Sequence, residues 1–454
     1  MNQLASTPTR TAIVIPAVTD VNRGDQALVW EAASLIEETD VCDEIMLLDG
    51  GENTEESELQ GKQTRKLGYQ LINGILPHPR RGRYSQEDKI KETKLSFFLI
   101  VAFSIFDFLW GQMVLLCAPF PKLVSFLLDR EKYKTYLAFR NTQAIVVKGG
   151  GFLHAYGGLS ATYYIWYQLF YFRLARRLNK PIIVLPNSFG PFEGLFVKPQ
   201  IKDVLSSCLF ISAREAISSK MLGDVLGTTV PMFPDLGYYL KSADREIGEK
   251  ICQQFGVPLG VQKCVALTLR PYRFPGANDP AASFSRYIDA MAELVRHLAN
   301  QGLYPVFVTH VAGPSAHEND RLAIEEVRSK LDNVEHSWID FEGDCRDIQA
   351  VYGCMDYLVG TRFHSVIFAQ NSGVPCLAIA YGGNKSVGIM VDMDLGDYVT
   401  PIEDVTGEIL CSQFDLLVEN TEEIKEKMKV WQKQAWKQRQ EIVTSINSRF
   451  HKTI

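Results

Sequence analysis

Two side chains with complementary chemistry, Arg362 and His364, stand near the start of the segment 356–381. An arginine presents a planar and permanently charged group that suits a phosphate or a carboxylate. A histidine holds or releases a proton near neutral pH. The pair therefore predicts an anion-binding site with an acid or base beside it. The alternatives are a local ion pair for the arginine and a buried structural imidazole for the histidine.

The elements predicted around this pair place it at the edge of a parallel sheet. An apolar run ends at Gly360, Thr361 is expected to cap a helix from Arg362 to Asn371, and Cys376–Ala380 is expected to form the next buried strand. A helix that follows a parallel strand points its free N–H groups to the carboxyl edge of the sheet, where α/β folds bind ligands. The turn before the helix therefore belongs to the predicted anion site.

Length and composition indicate a folded protein with two domains. The chain has 454 residues, of which 46% are hydrophobic and 22% charged, and its formal net charge is −6. This charge gives no general attraction to nucleic acid, so no nucleic-acid partner is expected. The nine cysteines form no CxxC pair, so neither a zinc site nor a disulfide framework is expected. The N-terminus lacks the apolar region of an export signal, so a cytoplasmic location is predicted.

Short apolar runs alternate with segments of helical spacing along most of the chain, which is typical of doubly wound parallel sheets. A polar stretch at about 241–250 interrupts this alternation, and 421–450 has the composition of a charged helix. The predicted fold class is α/β, with two Rossmann-like doubly wound domains in a GT-B-like arrangement and a closing C-terminal helix. Residues 1–240 would form the N-terminal domain, and residues 241–454 the C-terminal domain with its helix.

Polar residues also follow predicted strands in the first half of the chain. Asn22 and Asp25 lie in the loop after the first strand, where Asp25 either caps the next helix or holds a substrate hydroxyl. Gly150 and Gly151 belong to a run of three glycines that lets a ligand approach the backbone, although the spacing matches no nucleotide-binding loop. Arg214 follows another strand. If both domains aim their strand ends at one cleft, these residues meet the arginine and histidine pair there.

Weaker candidates and an apparent metal motif lie in the second half. Lys385 follows a strand and a Gly-Gly turn and is a further candidate for the anion site, with a solvated lysine as the alternative. Arg270 and His310 lie at predicted strand ends. Asp392 and Asp394 imitate a DxD metal motif, but they precede an apparent turn, so no metal site is predicted.

The insertion at about 51–139 departs from the regular alternation. Its part 51–94 is polar and broken by glycine, proline and charge, so a loop is expected. The apolar run 95–120 is long enough to span a bilayer, although Asp107 lies near its middle. A pair of short helices broken near Gly111 and lying in one leaflet is a further interpretation. A core element and a contact between subunits are the others.

The chain resembles the polysaccharide pyruvyl transferases outside 51–139, because short motifs occur in the order of that family: VNRGDQAL, VVKGGGFLH, LPNSFGPF, SAREAIS, MFPDLGYYL, GTRFHSVIFAQNSGVPCLAIAY and NKSVG. The most specific of them is the G-x-R-x-H segment. Gly382 stands where an acidic residue usually follows the tyrosine, and Leu236-Gly237 replaces the usual proline and alanine. Both departures bear on the identity of the acceptor.

The resemblance implies transfer of an enolpyruvyl-derived group from phosphoenolpyruvate to a sugar, which forms a cyclic pyruvate ketal and releases phosphate. It implies that Arg214 and Arg362 neutralise the two anionic groups of the donor, and that protonated His364 is the general acid. The donor site would also contain Gly360, Thr361 and Lys385. The acceptor side would contain Asn22, Asp25, Gly150 and Gly151.

The expected partners are phosphoenolpyruvate as a co-substrate and a sugar or lipid-linked glycan as the acceptor, with no cofactor and no metal ion. A lipid-linked acceptor would suit a peripheral position on the inner face of the membrane through 95–120, and a homo-oligomer contact is the alternative for that run. A GT-B glycosyltransferase that uses a sugar nucleotide and a non-catalytic glycan-binding scaffold are the alternative functions.

Overall fold

The computed structural model describes residues 9–77, 94–158, 160–313, 318–383 and 385–452, and the side chains of residues 94–98 lie outside that description. The first half contains β1 (Thr11–Ile15), α1 (Arg23–Glu37), β2 (Glu44–Leu48), α2 (Thr54–Lys66), β3 (Gln70–Ile72), α3 (Lys94–Cys117), α4 (Pro121–Leu127), α5 (Arg130–Asn141), β4 (Ala144–Val147), β5 (Gly150–Tyr156), α6 (Ala161–Gln168), α7 (Phe170–Arg177), β6 (Ile182–Glu193), α8 (Val197–Leu205), β7 (Phe210–Ala213) and α9 (Ala216–Leu226). The second half contains α10 (Arg245–Gln254), β8 (Cys264–Thr268), α11 (Pro280–Asn300), β9 (Tyr304–Val308), α12 (Asp320–Arg328), β10 (Ser337–Ile339), α13 (Cys345–Tyr352), β11 (Tyr357–Gly360), α14 (Phe363–Asn371), β12 (Cys376–Ala380), α15 (Lys385–Asp392), β13 (Val399–Pro401), α16 (Gly407–Glu419) and α17 (Thr421–Phe450).

Each half builds one parallel sheet. The first has the strand order β3-β2-β1-β4-β6-β5 with β7 also paired to β6, and the second has the order β10-β9-β8-β11-β12-β13. In β1, Ala12 and Val14 face one apolar cluster while Ile13 and Ile15 face another, so the strand is buried on both faces. The predicted α/β class with two doubly wound sheets is confirmed. Strand β7 of the first sheet ends before the domain boundary predicted near residue 240, and strand β8 of the second sheet begins after it.

Helix α17 begins in the second half and crosses back to the first. Its Arg439 guanidinium donates to the Glu38 carboxylate at 2.7 Å. The Asn447 side chain accepts a hydrogen bond from the backbone N–H of Asp40 at 2.9 Å. The predicted closing helix therefore ties the two halves together, with the bounds that its charged composition predicted.

The polar segment 51–94, predicted to be a loop, contains helix α2 and strand β3 instead. The Asn53 side chain caps α2, whose first turn is acidic and whose last turn is basic. Its inner face is polar, since the backbone N–H of Thr64 donates to the buried Asp20 carboxylate at 3.0 Å. The prediction failed because it relied on apolar spacing, whereas this helix docks through hydrogen bonds. The basic cluster at 80–83 lies outside the described residues.

Most of the apolar run 95–120 lies in one continuous helix, α3, which ends at Cys117, and the predicted break near Gly111 is wrong. A Cβ at Gly111 would lie 2.7 Å from the Trp166 ring, so glycine here allows α3 to approach α6 closely. The carboxylate of Asp107 is buried on the same packed side. Glycine therefore serves helix packing at this position and does not bend the helix.

Candidate active site

A cavity of about 90 Å³ lies where the carboxyl edges of the two sheets meet. Its lining residues follow strands of both halves: Asn22, His310, Val311, Arg362, Phe363, His364, Tyr381, Gly382, Lys385 and Ser386. The halves contact each other beside it, because the backbone N–H of Ala312 donates to the Val21 carbonyl at 2.9 Å. Five candidates from the sequence are thus brought together at the edge where α/β sheets bind ligands. These five are Asn22, His310, Arg362, His364 and Lys385.

Two helices direct their N-termini into the cavity. Helix α14 begins at Phe363 after β11, helix α15 begins at Lys385 after β12, and the first two residues of each line the wall. Gly382 and Gly383 have φ values of 45° and 85°, so the turn that leads to α15 suits glycine. Free N–H groups and the positive ends of two helix dipoles converge here, and this arrangement favours an anion.

The guanidinium of Arg362 is held in place by oxygen atoms of a neighbouring segment. Its Nε donates to Asp320 Oδ1 at 2.8 Å, and its Nη2 donates to the Glu318 carbonyl at 3.1 Å. Asp320 is itself fixed, because its carboxylate accepts from the backbone N–H groups of His310 and Val311 at 3.1 and 2.8 Å. Arg362 is therefore a rigid cation on the cavity wall whose charge is partly offset.

The turn before α14 differs from the prediction by one residue. Arg362 occupies the N-cap position with an extended backbone and no side-chain cap bond, so the assignment of Thr361 as the cap is wrong. The buried Thr361 hydroxyl lies 2.8 Å from the Tyr287 hydroxyl. A Cβ at Gly360 would lie 2.8 Å from a methyl group of Val366. Gly360 and Thr361 thus shape the turn below Arg362 and are absent from the cavity wall.

His364 and Lys385 contact each other at the cavity. Lys385 Nζ lies 3.4 Å from His364 Nδ1 and 3.2 Å from His364 Nε2. Burial and the Lys385 charge lower the pKa of His364 to about 4, and burial and the charge of Arg214 lower the pKa of Lys385 to about 7. These neighbours favour the neutral imidazole near neutral pH, whereas the resemblance implies the protonated form during the reaction. An anion bound beside both groups raises both pKa values.

Helix α1 of the first half reaches the imidazole. A Cβ at Gly24 would lie 2.1 Å from His364 Nδ1, so the ring occupies space that only glycine leaves open. Asn22 caps α1, since its side chain accepts from the backbone N–H groups of Gly24 and Asp25 at 3.1 and 3.2 Å. Asp25 is therefore not the cap, and its carboxylate lies 3.5 Å from Lys148 Nζ.

Arg214 lies behind His364 and not in the cavity wall. Its Nη1 donates to Asp235 at 2.5 Å, and its Nε donates to the Ser188 hydroxyl at 2.7 Å. Asp235 Oδ1 lies 3.8 Å from His364 Nε2. Burial opposes the charge on Asp235, but Arg214 and His364 hold its pKa well below the usual range. Asp235 therefore lies between Arg214 and the imidazole and couples their charges, and donor binding by Arg214 stays a prediction.

The glycine run at 149–151 does not form the expected open loop. Gly150 and Gly151 begin strand β5, which pairs in parallel with the second part of the long strand β6. A Cβ at Gly151 would lie 3.1 Å from Arg214 Nη2. The prediction of a loop failed because nothing in the local sequence shows that β6 continues far enough to pair with this segment. Neither glycine lines the cavity.

Two weaker candidates lie at or beside the cavity. His310 is buried in its wall, and its Nδ1 lies 3.0 Å from the Tyr352 hydroxyl. The guanidinium carbon of Arg270 lies 4.0 Å from the centre of the Tyr381 ring. Arg270 forms no ion pair with a carboxylate among the residues that the structure describes, so it brings a second arginine charge to this side of the cleft.

The DxD sequence is occupied by protein contacts. Asp392 accepts from the backbone N–H of Ala216 at 3.0 Å, and Asp394 pairs with Lys427 at 2.9 Å. Within the described ranges no group of three His, Cys, Asp or Glu side chains is placed to hold a metal ion.

Sequence reasoning missed the carboxylates that hold the site together. Asp235 follows the strand-like segment 230–233 within the motif MFPDLGYYL, and its position after a strand was a usable signal. Asp320 lies at the start of α12, and no local pattern links it to Arg362. The contact depends on the segment after β9, whose His310 and Val311 N–H groups hold Asp320 beside Arg362.

Solved structures share the arrangement of the two halves. Alr3699/HepE of Anabaena, crystallised in complex with UDP-glucose, aligns with a TM-score of 0.52 and 12% identity over 98% of this chain and 99% of its own. The UDP co-structure of S. aureus MnaA aligns with a TM-score of 0.53 and 10% identity over 92% of this chain and 90% of its own. At these identities the likeness shows the fold alone, which is the GT-B arrangement.

Sequence comparison is more specific than fold comparison. The family model of polysaccharide pyruvyl transferases matches residues 80–383. The amylovoran biosynthesis protein AmsJ of Erwinia amylovora is 22% identical over 304 residues, which cover 66% of this chain and 69% of that protein. The chain belongs to the polysaccharide pyruvyl transferase family and is a transferase of polysaccharide biosynthesis.

Proposed function

We propose that this protein uses phosphoenolpyruvate to form a pyruvate ketal on a sugar of a polysaccharide or its precursor. One observation carries the proposal: two helix N-termini, Arg362 and Lys385 converge on one small cavity beside His364. Phosphoenolpyruvate bears a phosphate and a carboxylate on the same carbon, C2. A donor of this kind needs two adjacent positive regions of the site, and the cavity offers them.

The two anionic groups are assigned to different parts of the wall. The phosphate lies at the N-termini of α14 and α15 with Lys385, because helix N–H groups suit a tetrahedral oxyanion. The carboxylate is assigned to Arg362, whose permanent charge attracts it while Nε and Nη2 hold Asp320 and the Glu318 carbonyl. Arg214 remains a candidate for contact with the bound donor. Because it pairs with Asp235, its side chain would have to move to reach the donor.

The proton for the methylene carbon comes through His364. When the donor binds, its negative charge raises the pKa of the imidazole and of Lys385, so His364 takes up a proton from Lys385 or solvent and delivers it to C3. One sugar hydroxyl then attacks C2. Burial opposes the charge on Asp25, but Lys148 and His364 hold its pKa below the usual value, so its carboxylate is ionised and accepts the hydroxyl proton.

The second half of the reaction releases phosphate. The C2–O bond to phosphate breaks with the electron pair leaving on oxygen, and a second hydroxyl of the same sugar attacks C2 to close the ketal. Of the two hydroxyl protons, one replaces the proton delivered to C3 and the other leaves with phosphate. The helix N-termini stabilise the departing dianion.

The test is turnover of the purified full chain with phosphoenolpyruvate and a panel of glycosides. The expected result is phosphate release that requires a glycoside, with a product mass increased by pyruvate minus one water. A sugar nucleotide consumed in place of phosphoenolpyruvate would establish the glycosyltransferase alternative, which the GT-B fold also suits. Glycan binding without turnover of either donor would establish a scaffold.

A further inference from the structure

Helices α3 and α4 present a concentration of exposed apolar side chains. Eleven of the 24 large apolar side chains that are exposed in the described residues lie between Leu99 and Phe126. We name this set the apolar ridge: Leu99, Val101, Phe103, Ile105, Phe106, Leu109, Met113, Leu116, Phe120, Leu123 and Phe126. An exposed apolar patch of this kind on a folded domain marks a contact with another protein or with a membrane.

Helix α3 has a packed part and an exposed part. Asp107, Gly111, Val114 and Leu115 are buried, and the Phe108 ring contacts the Trp166 ring with centroids 4.8 Å apart. Every side chain from Leu99 to Phe106 is exposed or half-buried. The second part of the helix therefore fastens it to α6 and α7, while the first part extends beyond the packed surface.

The composition of the exposed part of α3 indicates lipid as its partner. Leu99–Cys117 is the one described helix long and apolar enough to cross a membrane. Its mean hydropathy is 2.0, and only 22% of it is buried. Its segment 99–106 contains one polar side chain, Ser104. Protein interfaces of useful size carry about one hydrogen bond per 100–200 Å². A surface with so few polar groups suits acyl chains better than a second copy.

The length of the exposed part of α3 fits one leaflet and not a full crossing. The eight residues 99–106 extend about 12 Å at ~1.5 Å per residue, which is less than half of a hydrocarbon core about 30 Å thick. Asp107, at the end of this part, is turned to the protein and 1% exposed. The polar residue that counted against insertion in the sequence is therefore kept away from the apolar ridge.

Basic residues beside the ridge and in the sequence that precedes it complement an anionic surface. Lys122 is exposed between Phe120 and Leu123, two members of the apolar ridge. In the sequence that precedes the ridge, residues 80–94 include six basic and three acidic side chains, whereas the whole chain has a net charge of −6. Basic residues next to a membrane-binding apolar segment add attraction to anionic lipid.

We propose that the apolar ridge inserts into one leaflet of an anionic membrane and holds the transferase at that surface. The proposal concerns a face of the first half that is distinct from the cavity. It stands whether or not the donor is phosphoenolpyruvate. Docking of this kind would place the first half, which carries Asn22 and Asp25, close to an acceptor that is itself attached to lipid.

Co-sedimentation of the full chain with vesicles tests the proposal. Vesicles of phosphatidylglycerol and phosphatidylcholine are compared with vesicles of phosphatidylcholine alone. We expect wild-type protein to sediment with the anionic vesicles, and Phe106→Ser, Leu109→Ser and Phe126→Ser in one chain to weaken that binding at least tenfold. The matched control carries Leu195→Ser and Val261→Ser, which remove apolar side chains that are 71% and 82% exposed elsewhere.

Folding, and the alternative that a second copy of the chain covers the ridge, are tested in the same samples. The ridge variant and the control should keep the wild-type circular dichroism spectrum and melting temperature, since the substituted side chains are exposed. Wild-type protein that stays in the supernatant with anionic vesicles contradicts the proposal, as does equal binding by the ridge variant. A wild-type dimer that the ridge variant dissociates, without vesicle binding by either, shows that a second copy covers the ridge.

Discussion

The two halves of the cleft both contain buried cations, but they neutralise them differently. In the first half Arg214 pairs with Asp235 at 2.5 Å and Lys148 pairs with Asp25 at 3.5 Å. In the second half Arg362 pairs with Asp320 at 2.7 Å, whereas Lys385 forms no ion pair with a carboxylate among the described residues. The first half thus satisfies both of its charges, while the second half keeps the charge of Lys385 at the cavity.

This difference separates positioning from binding. A cation that is already paired and hydrogen-bonded in a buried network fixes the geometry of its neighbours, and removing one partner leaves an uncompensated charge. A cation without a carboxylate partner, next to two helix N-termini, is available to an anionic ligand. The comparison therefore assigns the donor to the second half and leaves the acceptor to the first.

The largest expected effect is that of His364→Ala. The variant should lose roughly 10²–10⁴-fold in kcat, because the proposed general acid is removed. Donor affinity measured by calorimetry should change little, since Arg362 and Lys385 remain. His297→Ala is the control, because that imidazole pairs with Asp415 on the surface of the second half. Near-normal turnover of His364→Ala would show that the imidazole is structural.

The next effect distinguishes the two arginines. Arg362→Lys keeps the charge but loses the planar fork, so the donor KM should rise more than tenfold. Arg214→Lys should lower kcat more than it raises the donor KM, because Arg214 acts on His364 through Asp235. Initial rates over a range of donor concentrations give both constants.

Arg321→Lys is the matched control for Arg362→Lys. Arg321 donates from Nε and Nη2 to Asp340 at 2.7 and 2.9 Å, outside the cavity wall. The donor KM of Arg321→Lys should equal that of the wild type. An unchanged donor KM in Arg362→Lys would contradict the assignment of the donor to the second half.

The sheets were predictable from the sequence, whereas the charge network was not. Buried parallel strands are continuous apolar runs, and α17 is a long polar helix with few breakers, so both have local signals. The pairing of Arg362 with Asp320 has none, because it depends on how the segment after β9 holds Asp320 beside the end of β11. The same holds for the contact between Gly24 and His364, whose residues lie in different halves. Helix α2 was missed because it docks through polar contacts to Asp20.

The contact between the halves can be broken by one methyl group. In Gly24→Ala the new Cβ would lie 2.1 Å from His364 Nδ1, so the ring must move. We expect kcat to fall about tenfold or more, since small displacements of a catalytic group are costly. In the control Gly396→Ala the new Cβ lies 3.4 Å from a Val391 methyl group, which is ordinary contact. Equal turnover of both variants would show that the imidazole does not need this position.

The smallest effect is a change in pH dependence. Burial and the charge of Arg214 lower the pKa of Lys385 to about 7. Because the ammonium form binds an anion, donor affinity measured by calorimetry should fall as pH rises through that value. Lys385→Arg keeps its charge over this range, so its donor affinity should not show this fall. A wild-type profile without this decline would show that the charge of Lys385 does not contribute to donor binding.

The fate of the bridging oxygen of phosphoenolpyruvate tests the central claim most directly. Donor labelled with oxygen-18 between C2 and phosphorus is incubated in D₂O with an accepting glycoside, and both products are analysed by mass spectrometry. The proposed mechanism predicts that the label leaves in phosphate and that one deuterium enters the methyl group of the ketal. Label retained on the pyruvyl carbon, or phosphate released without a ketal, would contradict pyruvyl transfer.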